Sequence, residues 1–444
     1  MWFFSRWNSP KRSYDLEKFT FGTTSEGNRV SGFRSRFPNG SSAYQLFVPD
    51  ADYFYTVAVL NFGAINEGSL PLDTAHRWEH AVVVEQGYLK QLSRIRASGG
   101  AYTDAHKIGI TARSKKQKAV VPSTGLLCDT FVNADKNLDI TDNERDAISV
   151  ECLEHYSNPK DSFTGSLLVP STFSGTPLER IALPYEEMPP TDIQFIRDFH
   201  ITNFSPHRVT IVTAGPFDKS YPQTDEIFTT IAGSLGKMER RPVVETHFDI
   251  PLDAEQLQFD EIRPDYRSAY VGLGFRVSRN PKEIAALELY DCIMEDENEG
   301  SRRLIDLTRE KRGGFYHPHV LLMDLGYAAT YVIYGATLPR KYAFAVDVLK
   351  EVIADRNIDP EDFNAGKDFA VERIDDMLSD SEDTAEAVAD RVHFPYIGND
   401  PDKLREELLR TTLDDVISVV DKRLNPDKGT VAVARPVETL KQAA

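Results

Sequence analysis

The residues best suited to chemistry are two histidines and a glutamate in the segment His76-Arg77-Trp78-Glu79-His80. On a helix, residues four positions apart lie on one face, so the imidazoles of His76 and His80 can bind one metal ion. Glu79 lies beside that face, where it can hold a water molecule at the open position of the metal. The spacing predicts a zinc site in which Glu79 accepts the proton of a water that attacks a carbonyl. The alternative is two surface histidines on an amphipathic helix.

A catalytic zinc site needs a third protein ligand, and an acidic segment further along the chain can provide it. Residues 141–144 (Thr-Asp-Asn-Glu) form a capping-box sequence, which predicts a helix over 141–157. One stripe of that helix carries two carboxylates, an aliphatic side chain and an imidazole: Glu144, Ile148, Glu151 and His155. Because such a stripe is partly buried, its carboxylates need partners, and a metal ion is one. The alternative is a solvated acidic helix in which Arg145 is the neighbouring charge.

Length and composition restrict the class of protein. The chain has 444 residues, 41% of them hydrophobic, and a formal net charge of −18, which predicts two or more domains. No stretch is long and apolar enough for a membrane helix, so we expect no membrane span, and the acidic charge disfavours nucleic acid and favours basic peptides. Three cysteines in no disulfide or metal-binding pattern predict a reduced, cytoplasmic protein. Lys11 and Arg12 leave an organellar presequence as the less favoured alternative.

Two halves of similar length repeat one order of elements, with strands first, helices next and a closing strand. The predicted fold class is α+β, with two similar domains that each contain a mostly antiparallel sheet and helices packed on one face. We predict an N-terminal domain over residues 1–240, a linker over 241–260 and a C-terminal domain over 261–444. Strands are predicted near 44–48, 54–62, 102–111, 207–214, 269–275, 315–323, 327–334 and 430–434. Helices are predicted near 73–96, 141–157, 191–202, 224–235, 281–295 and 301–310, and four more begin near 341, 362, 381 and 412.

Seven segments form a pattern that extends well beyond the histidine motif. In chain order they are 37–40 (FPNG), 62–67 (FGAINE), 76–80 (HRWEH), 144–151 (ERDAISVE), 199–215, 301–304 (SRRL) and 309–316 (REKRGGFY). Together they resemble the pitrilysin family of zinc peptidases, which includes insulin-degrading enzyme and the mitochondrial processing peptidase. The likeness is greatest to the short bacterial-type members of this family, whose size matches the 50.0 kDa of this chain.

The resemblance implies a metal centre in which each residue has a role. It implies the metallohydrolase fold of the processing-peptidase type and a zinc ion bound by His76, His80 and Glu151. It also implies that Glu79 is the general base and that Glu144 is a carboxylate that orients a ligand histidine.

The resemblance also implies a substrate-binding pair in the C-terminal half. In the family an arginine and a tyrosine seven residues further on bind substrate in the catalytic chamber, and here they are Arg309 and Tyr316. Such a pair binds a peptide carbonyl and stabilises developing oxyanion charge. The implied protein is a zinc-dependent endopeptidase that hydrolyses unfolded peptides or short protein segments inside a clam-shell chamber. Since one chain carries both motifs, a homodimer is the simplest assembly, and a heterodimer with a related chain is the alternative.

Some residues near the metal helix depart from the family pattern. Arg77-Trp78 replaces a small or aromatic apolar residue followed by Leu, and residues 81–87 lack the usual Met-x-Phe-x-Gly-Thr. Residues 101–104 replace the Asn-Ala strand edge that pairs with extended substrate in the family, so the register of substrate is open. Asp104 and His106 are predicted to lie near the ion in peripheral positions.

Three other functions compete with this interpretation. The same fold serves as a non-catalytic structural or partner subunit, although such subunits usually lose the zinc signature that is present here. A maturation protease dedicated to one precursor peptide would use the same chemistry, and a binding module could hold basic peptides without cutting them. If Glu151 is not a ligand, Glu154 and His155 are the alternatives for zinc.

Overall fold

The computed structural model describes residues 14–134, 138–181, 192–217, 223–244, 248–253, 256–294 and 303–437. Ser301 and Arg302 of the family-like 301–304 segment lie outside these residues, as does the N-terminal arm up to residue 13. The described residues form two sheets, one of seven strands and one of five. Among the described residues, no helix is both long enough and apolar enough to cross a membrane.

The strands of the two sheets pair mainly antiparallel. They are β1 (Glu17–Thr23), β2 (Arg29–Arg36), β3 (Ser42–Phe47), β4 (Phe54–Leu60), β5 (Ser98–Thr103), β6 (Ile108–Ser114), β7 (Val209–Gly215), β8 (Gln258–Ile262), β9 (Ala269–Val277), β10 (Tyr316–Asp324), β11 (Ala329–Thr337) and β12 (Thr430–Arg435). The first sheet has the order β1-β2-β3-β7-β4-β6-β5 and the second the order β10-β11-β9-β12-β8. Each sheet contains one parallel pair, β3 with β7 and β12 with β8.

Helices follow the strands in both halves. They are α1 (Thr74–Val83), α2 (Tyr88–Arg94), α3 (Val120–Ala134), α4 (Asp142–Ser157), α5 (Pro159–Ser162), α6 (Val169–Thr172), α7 (Ile193–Asn203), α8 (Gln223–Gly233), α9 (Pro281–Met294), α10 (Arg303–Ile305), α11 (Tyr342–Ala354), α12 (Pro360–Ser379), α13 (Ser381–His393), α14 (Pro401–Arg410) and α15 (Leu413–Arg423). Two π-helical segments, Phe163–Leu168 and Asp306–Glu310, extend the short helices α5 and α10.

The central strands of the first sheet are buried on both faces. Every residue of β4 and β7 is buried, and such strands are nearly continuous apolar runs because helices cover each side. Side chains alternate between the faces. Val57, Val59 and Val212 belong to one core cluster, whereas Ala58 and Ile211 belong to another. Helices α3 and α8 cover the second of these faces, and α13, which comes from the C-terminal half, packs on β4 and β7 from the first.

A buried polar network attaches α13 to the first sheet. Lys107 is 8% exposed, and its Nζ donates to both carboxylate oxygens of Asp390 at 2.9 Å. The hydroxyl of Tyr55 donates to Glu386 Oε1 at 3.1 Å, and the hydroxyl of Tyr102 donates to the other oxygen of the same carboxylate. Burial raises the pKa of Glu386 and of Asp390, and the nearby ammonium of Lys107 opposes the rise. The two halves are therefore joined through a charged contact as well as an apolar one.

The predicted α+β class is confirmed, with helices packed against two mixed sheets. The helix predicted over 73–96 is two helices, because the chain turns at Gly87 with a φ of 68° and restarts as α2. Helix α3 was not predicted from the sequence, since Pro122, Gly125 and several β-branched residues weaken its helical signal. The division into domains at 241–260 stays a prediction.

Candidate metal centre

Helix α1 is anchored at its N-terminus. Asp73 adopts a left-handed conformation with a φ of 70° immediately before the first helical residue. A carboxyl oxygen of Glu67 accepts a hydrogen bond from the backbone N–H of Ala75 at 2.8 Å. The first N–H groups of a helix have no partner within the helix, so this contact fixes the position and direction of α1.

The two residues that depart from the family pattern hold α1 from its buried side. Arg77 donates from Nε to Asp73 Oδ2 at 3.2 Å. Trp78 is fully buried, donates from its indole N–H to His200 Nδ1 at 3.0 Å and packs edge-on against Phe62. Arg77 and Trp78 are therefore structural residues that hold α1 in place.

The two histidines of α1 converge with a carboxylate of α4. The Nε2 atoms of His76 and His80 lie 3.1 Å apart, and Glu151 Oε2 lies 3.4 Å from His80 Nε2 and 3.8 Å from His76 Nε2. Ligands at about 2.0–2.2 Å from a tetrahedral zinc ion are separated by about 3.3–3.6 Å. The three atoms thus have the spacing of three corners of a zinc tetrahedron, and the donor set of two imidazoles and one carboxylate fits zinc.

The other nitrogen of each imidazole is held by a carboxylate. His80 Nδ1 lies 2.6 Å from Glu144 Oε1, and His76 Nδ1 lies 2.9 Å from Asp73 Oδ1. Such contacts select the tautomer whose Nε2 is free to bind a metal. This role was predicted for Glu144 but not for Asp73. The available signal was the spacing, since Asp73 precedes His76 by three residues at the start of the helix.

The electrostatics of this cluster favour positive charge. The two imidazoles are surrounded by four acidic side chains: Asp73, Glu79, Glu144 and Glu151. Burial lowers the pKa of His76, but hydrogen bonds to Asp73 and Cys152 outweigh it and the pKa stands well above its ordinary value. Burial also lowers the pKa of His80, but its hydrogen bonds to Glu151 and Glu144 outweigh this effect and raise the pKa above its ordinary value. The hydrogen bond from His80 is the main cause that lowers the pKa of Glu151. A divalent cation would supply the positive charge that these carboxylates stabilise.

Glu79 lies beside the cluster and lines the same cavity. It is 5% exposed, and its Oε2 accepts a hydrogen bond from the hydroxyl of Thr103 at 3.1 Å. Burial raises the pKa of Glu79, and the two neighbouring imidazoles oppose this effect. Its oxygens are not part of the cluster formed by His76, His80 and Glu151, so this carboxylate can take a proton while those three ligand atoms stay in place.

An open cavity of about 680 Å³ lies beside the cluster. Its walls come from α1, from the end of β5, from α4 and from residues 323–325 at the end of β10. Asp104 and His106 line this cavity but lie apart from the three ligand atoms. Burial lowers the pKa of His106 to about 3, which makes it a neutral wall residue. His155 also lines the cavity, whereas Glu154 is exposed on α4.

Arg309 and Tyr316 contact each other but not the metal cluster. The guanidinium of Arg309 lies 6.0 Å from the centre of the Tyr316 ring, and Tyr316 is 62% exposed. Tyr316 begins β10, and the cavity beside the cluster is lined by Asp324 at the other end of that strand. At about 3.3 Å per residue, the two ends are roughly 25 Å apart. Within one chain the structure therefore does not bring the predicted substrate-binding pair to the cluster.

Replacing Glu144 with glutamine is expected to weaken zinc binding about 10–100-fold, because the amide keeps the hydrogen bond to His80 but removes the negative charge. Titration against a zinc chelator of known affinity measures this change. Asp142→Asn is the matched control, since Asp142 lies on the same helix and its side chain is 93% exposed. Equal zinc affinities for Glu144→Gln and the control would contradict the role of Glu144.

The buried carboxyl of Glu67 is expected to make stability depend on pH. Burial raises its pKa to about 8 from an ordinary 4.5, so between these values the unfolded chain loses the proton before the folded protein does. Folding stability then falls as pH rises, by at most about 1.4 kcal/mol per pH unit.

Glu67→Gln removes this titration, so the variant should gain stability relative to wild type between about pH 5 and pH 8. Urea unfolding at both ends of the range tests this, with the exposed Glu26→Gln as control. A difference from wild type that is constant with pH would contradict it.

Residues 192–368 match the family model described as the peptidase M16 inactive domain. The comparison with curated proteins gives no match.

Three solved structures share the fold over nearly the whole chain. A protease from Helicobacter pylori has a TM-score of 0.76 and 14% identity, and covers 95% of this chain and 100% of its own. A chain of complex III from Candida albicans has a TM-score of 0.73 and 14% identity, with 92% and 97% covered. A periplasmic protease from Escherichia coli has a TM-score of 0.63 and 15% identity, covering 98% of this chain and 48% of its own. The fold therefore occurs both in a chain of a larger complex and in about half of a longer chain.

The family match begins after the last residue of the metal cluster, so it describes the part of the chain that does not contain the cluster. The structural matches extend the same fold to the N-terminal half. The chain therefore shares its fold with these structures, and its match to the family model is limited to residues 192–368.

Proposed function

We propose that this protein is a zinc-dependent endopeptidase that hydrolyses unfolded peptides or short protein segments. The observation that carries the proposal is the convergence of two Nε2 atoms and one carboxylate oxygen within 3.1–3.8 Å of one another. Each of the two imidazoles has a carboxylate on its other nitrogen, and Glu79 lies beside the cluster in the same cavity.

The roles of the residues follow from their positions. His76, His80 and Glu151 would hold a zinc ion, which when bound supplies an acidified water and polarises the scissile carbonyl. Glu79 accepts the proton of the attacking water and returns it to the leaving amine. The hydroxyl of Thr103 fixes one oxygen of Glu79 by a hydrogen bond and leaves the other free for this transfer.

Peptide binding is proposed at the edge of the first sheet. Strand β5 is the last strand of that sheet, and its residues 101–103 line the cavity beside the cluster. An extended peptide can add to such an edge through main-chain hydrogen bonds, with Glu79 facing the bound backbone. The altered residues 101–104 therefore affect the register of substrate rather than the metal cluster.

A homodimer is proposed as the active assembly. Arg309 and Tyr316 are far from the cluster of their own chain, and Tyr316 is mostly exposed. In a clam-shell of two chains, this pair would face the zinc site of the partner and bind the substrate carbonyl there. A heterodimer with a related chain is the alternative.

The second candidate is a non-catalytic structural or partner subunit. The comparisons taken alone favour it, because the matching model is an inactive domain and one structural match is a chain of complex III. The intact cluster is the observation against it.

One experiment separates these candidates. The purified chain is assayed for zinc per chain, for cleavage of an internally quenched peptide and for mass in solution. The proposal expects one zinc per chain, cleavage that stops with a chelator and returns with zinc, and the mass of a dimer. A chain without zinc and without turnover would support the structural subunit. Cleavage of a single defined precursor but not of random peptides would identify a dedicated maturation protease.

The cytoplasmic location stays a prediction.

A further inference from the structure

A second group of metal-binding side chains lies next to the proposed zinc site. One ligand atom each from Asp73, His76 and Cys152 lies within 4.8 Å of the other two. Asp73 and Cys152 are buried, and Cys152 lines the same open cavity as the zinc ligands. Cys152 follows the proposed ligand Glu151 directly in sequence and lies on the buried side of α4.

His76 is shared by the two groups and can present a different ring nitrogen to each. Its Nε2 lies 3.1 Å from His80 Nε2, whereas its Nδ1 lies 2.9 Å from Asp73 Oδ1. The sulfur of Cys152 lies within 4.8 Å of a ring nitrogen of the same imidazole. A neutral imidazole has one lone pair in the ring plane, so it binds a cation through Nε2 or through Nδ1 but not through both.

We propose that Asp73, His76 and Cys152 form an alternative site for a soft metal cation, and that its occupation excludes zinc from the neighbouring cluster. Binding replaces the S–H bond of Cys152 with a bond from sulfur to the cation and releases the proton to solvent. The proton on His76 Nδ1 moves to Nε2, where it blocks the zinc position. The exclusion rests on the proposed zinc site, but binding to Cys152 does not.

The chemistry of the donors decides which cation is favoured. Thiolate is a soft ligand that prefers soft cations, whereas the two imidazoles and carboxylate of the neighbouring cluster suit zinc. Arg77 donates to Asp73 Oδ2 and adds a positive charge nearby. This charge weakens the binding of a hard cation, which would be held by electrostatic attraction alone. A soft cation such as Cd²⁺ gains from the sulfur bond and is the probe of choice.

The test uses the purified full-length chain without added zinc and cadmium chloride as the only metal. Cadmium–thiolate bonds absorb in the near ultraviolet, so binding is followed as a charge-transfer band, and cadmium per chain is measured after dialysis. The variants are Cys152→Ser, Cys152→Ala and His80→Ala. Cys292→Ser is the matched control, because Cys292 is also a buried helix cysteine but lies in the other half.

The proposal expects the band in wild type, Cys292→Ser and His80→Ala, and a fall to background in both Cys152 variants. It also expects no more than one cation per chain when zinc and cadmium are supplied together. A band that persists in the Cys152 variants overturns the site. A band that disappears in His80→Ala would overturn the separate site, because Cys152 would then belong to the cluster of His76, His80 and Glu151. Two cations per chain would overturn the exclusion of zinc. If the chain fails to cleave any peptide but shows this pattern, the endopeptidase proposal fails and the thiolate site stands.

Discussion

Replacing Glu79 with glutamine is expected to abolish peptide hydrolysis while the chain keeps its zinc. Glutamine has the same shape and can still accept the hydrogen bond from Thr103, so the cavity wall should not change. It cannot accept a proton from water, and loss of a general base lowers rates by about 10²–10⁴-fold. Turnover of a quenched peptide and zinc per chain, measured on one preparation, test both parts of the expectation.

The matched control is Glu154→Gln, which makes the same chemical change at an exposed position of α4. It should keep both the activity and the zinc of wild type. Cleavage by Glu79→Gln at the wild-type rate would remove Glu79 from the mechanism. Loss of zinc from Glu79→Gln would mean instead that this carboxylate is a ligand.

Replacing Glu151 with alanine is expected to bring bound zinc well below one per chain. Removal of one of three protein ligands should lower the affinity for zinc by more than the roughly 10–100-fold that is typical when a residue that only orients a ligand is replaced. The side chain of Glu151 is 60% exposed, so its truncation leaves no cavity in the core and the fold should be retained. Metal analysis after dialysis gives the stoichiometry, and circular dichroism checks the fold.

His155→Ala is the control for this ligand, since His155 lies on the same helix and lines the same cavity. The control should keep its zinc, whereas His76→Ala should lose it as Glu151→Ala does. If Glu151→Ala retains one zinc per chain and His155→Ala does not, the third ligand is His155. Retention by both variants would exclude the proposed ligand set.

The elements that carry the site could be predicted from local sequence. Helix α4 begins where its capping residue predicts, and the hydroxyl of Thr141 accepts a hydrogen bond from the backbone N–H of Glu144 at 3.3 Å. The spacing of His76 and His80 is a property of any helix, so their shared face followed directly. The approach of Glu151 to them was implied by family resemblance alone, because 71 positions separate it from His80 and nothing local fixes that distance.

Other features depend on contacts between distant residues. The support that Asp73 gives to His76 is local, but it depends on a left-handed residue at the helix start, a conformation that non-glycine residues rarely adopt. The placement of α13 on the first sheet depends on Lys107 meeting Asp390, a pair separated by 283 positions. The separation of Arg309 and Tyr316 from the cluster is likewise set by the length of β10 and not by any local motif.

The crossing of α13 onto the first sheet has a consequence for how this protein can be divided. A fragment that ends before residue 260 would expose Val57, Val59 and Val212 to water and would lack the two carboxylates of α13 that pair with Lys107. Such a fragment should aggregate on expression, even though it contains every proposed zinc ligand. Supplying the missing half as a separate chain should restore solubility, so co-expression of two complementary pieces is the practical route to a split version of the molecule.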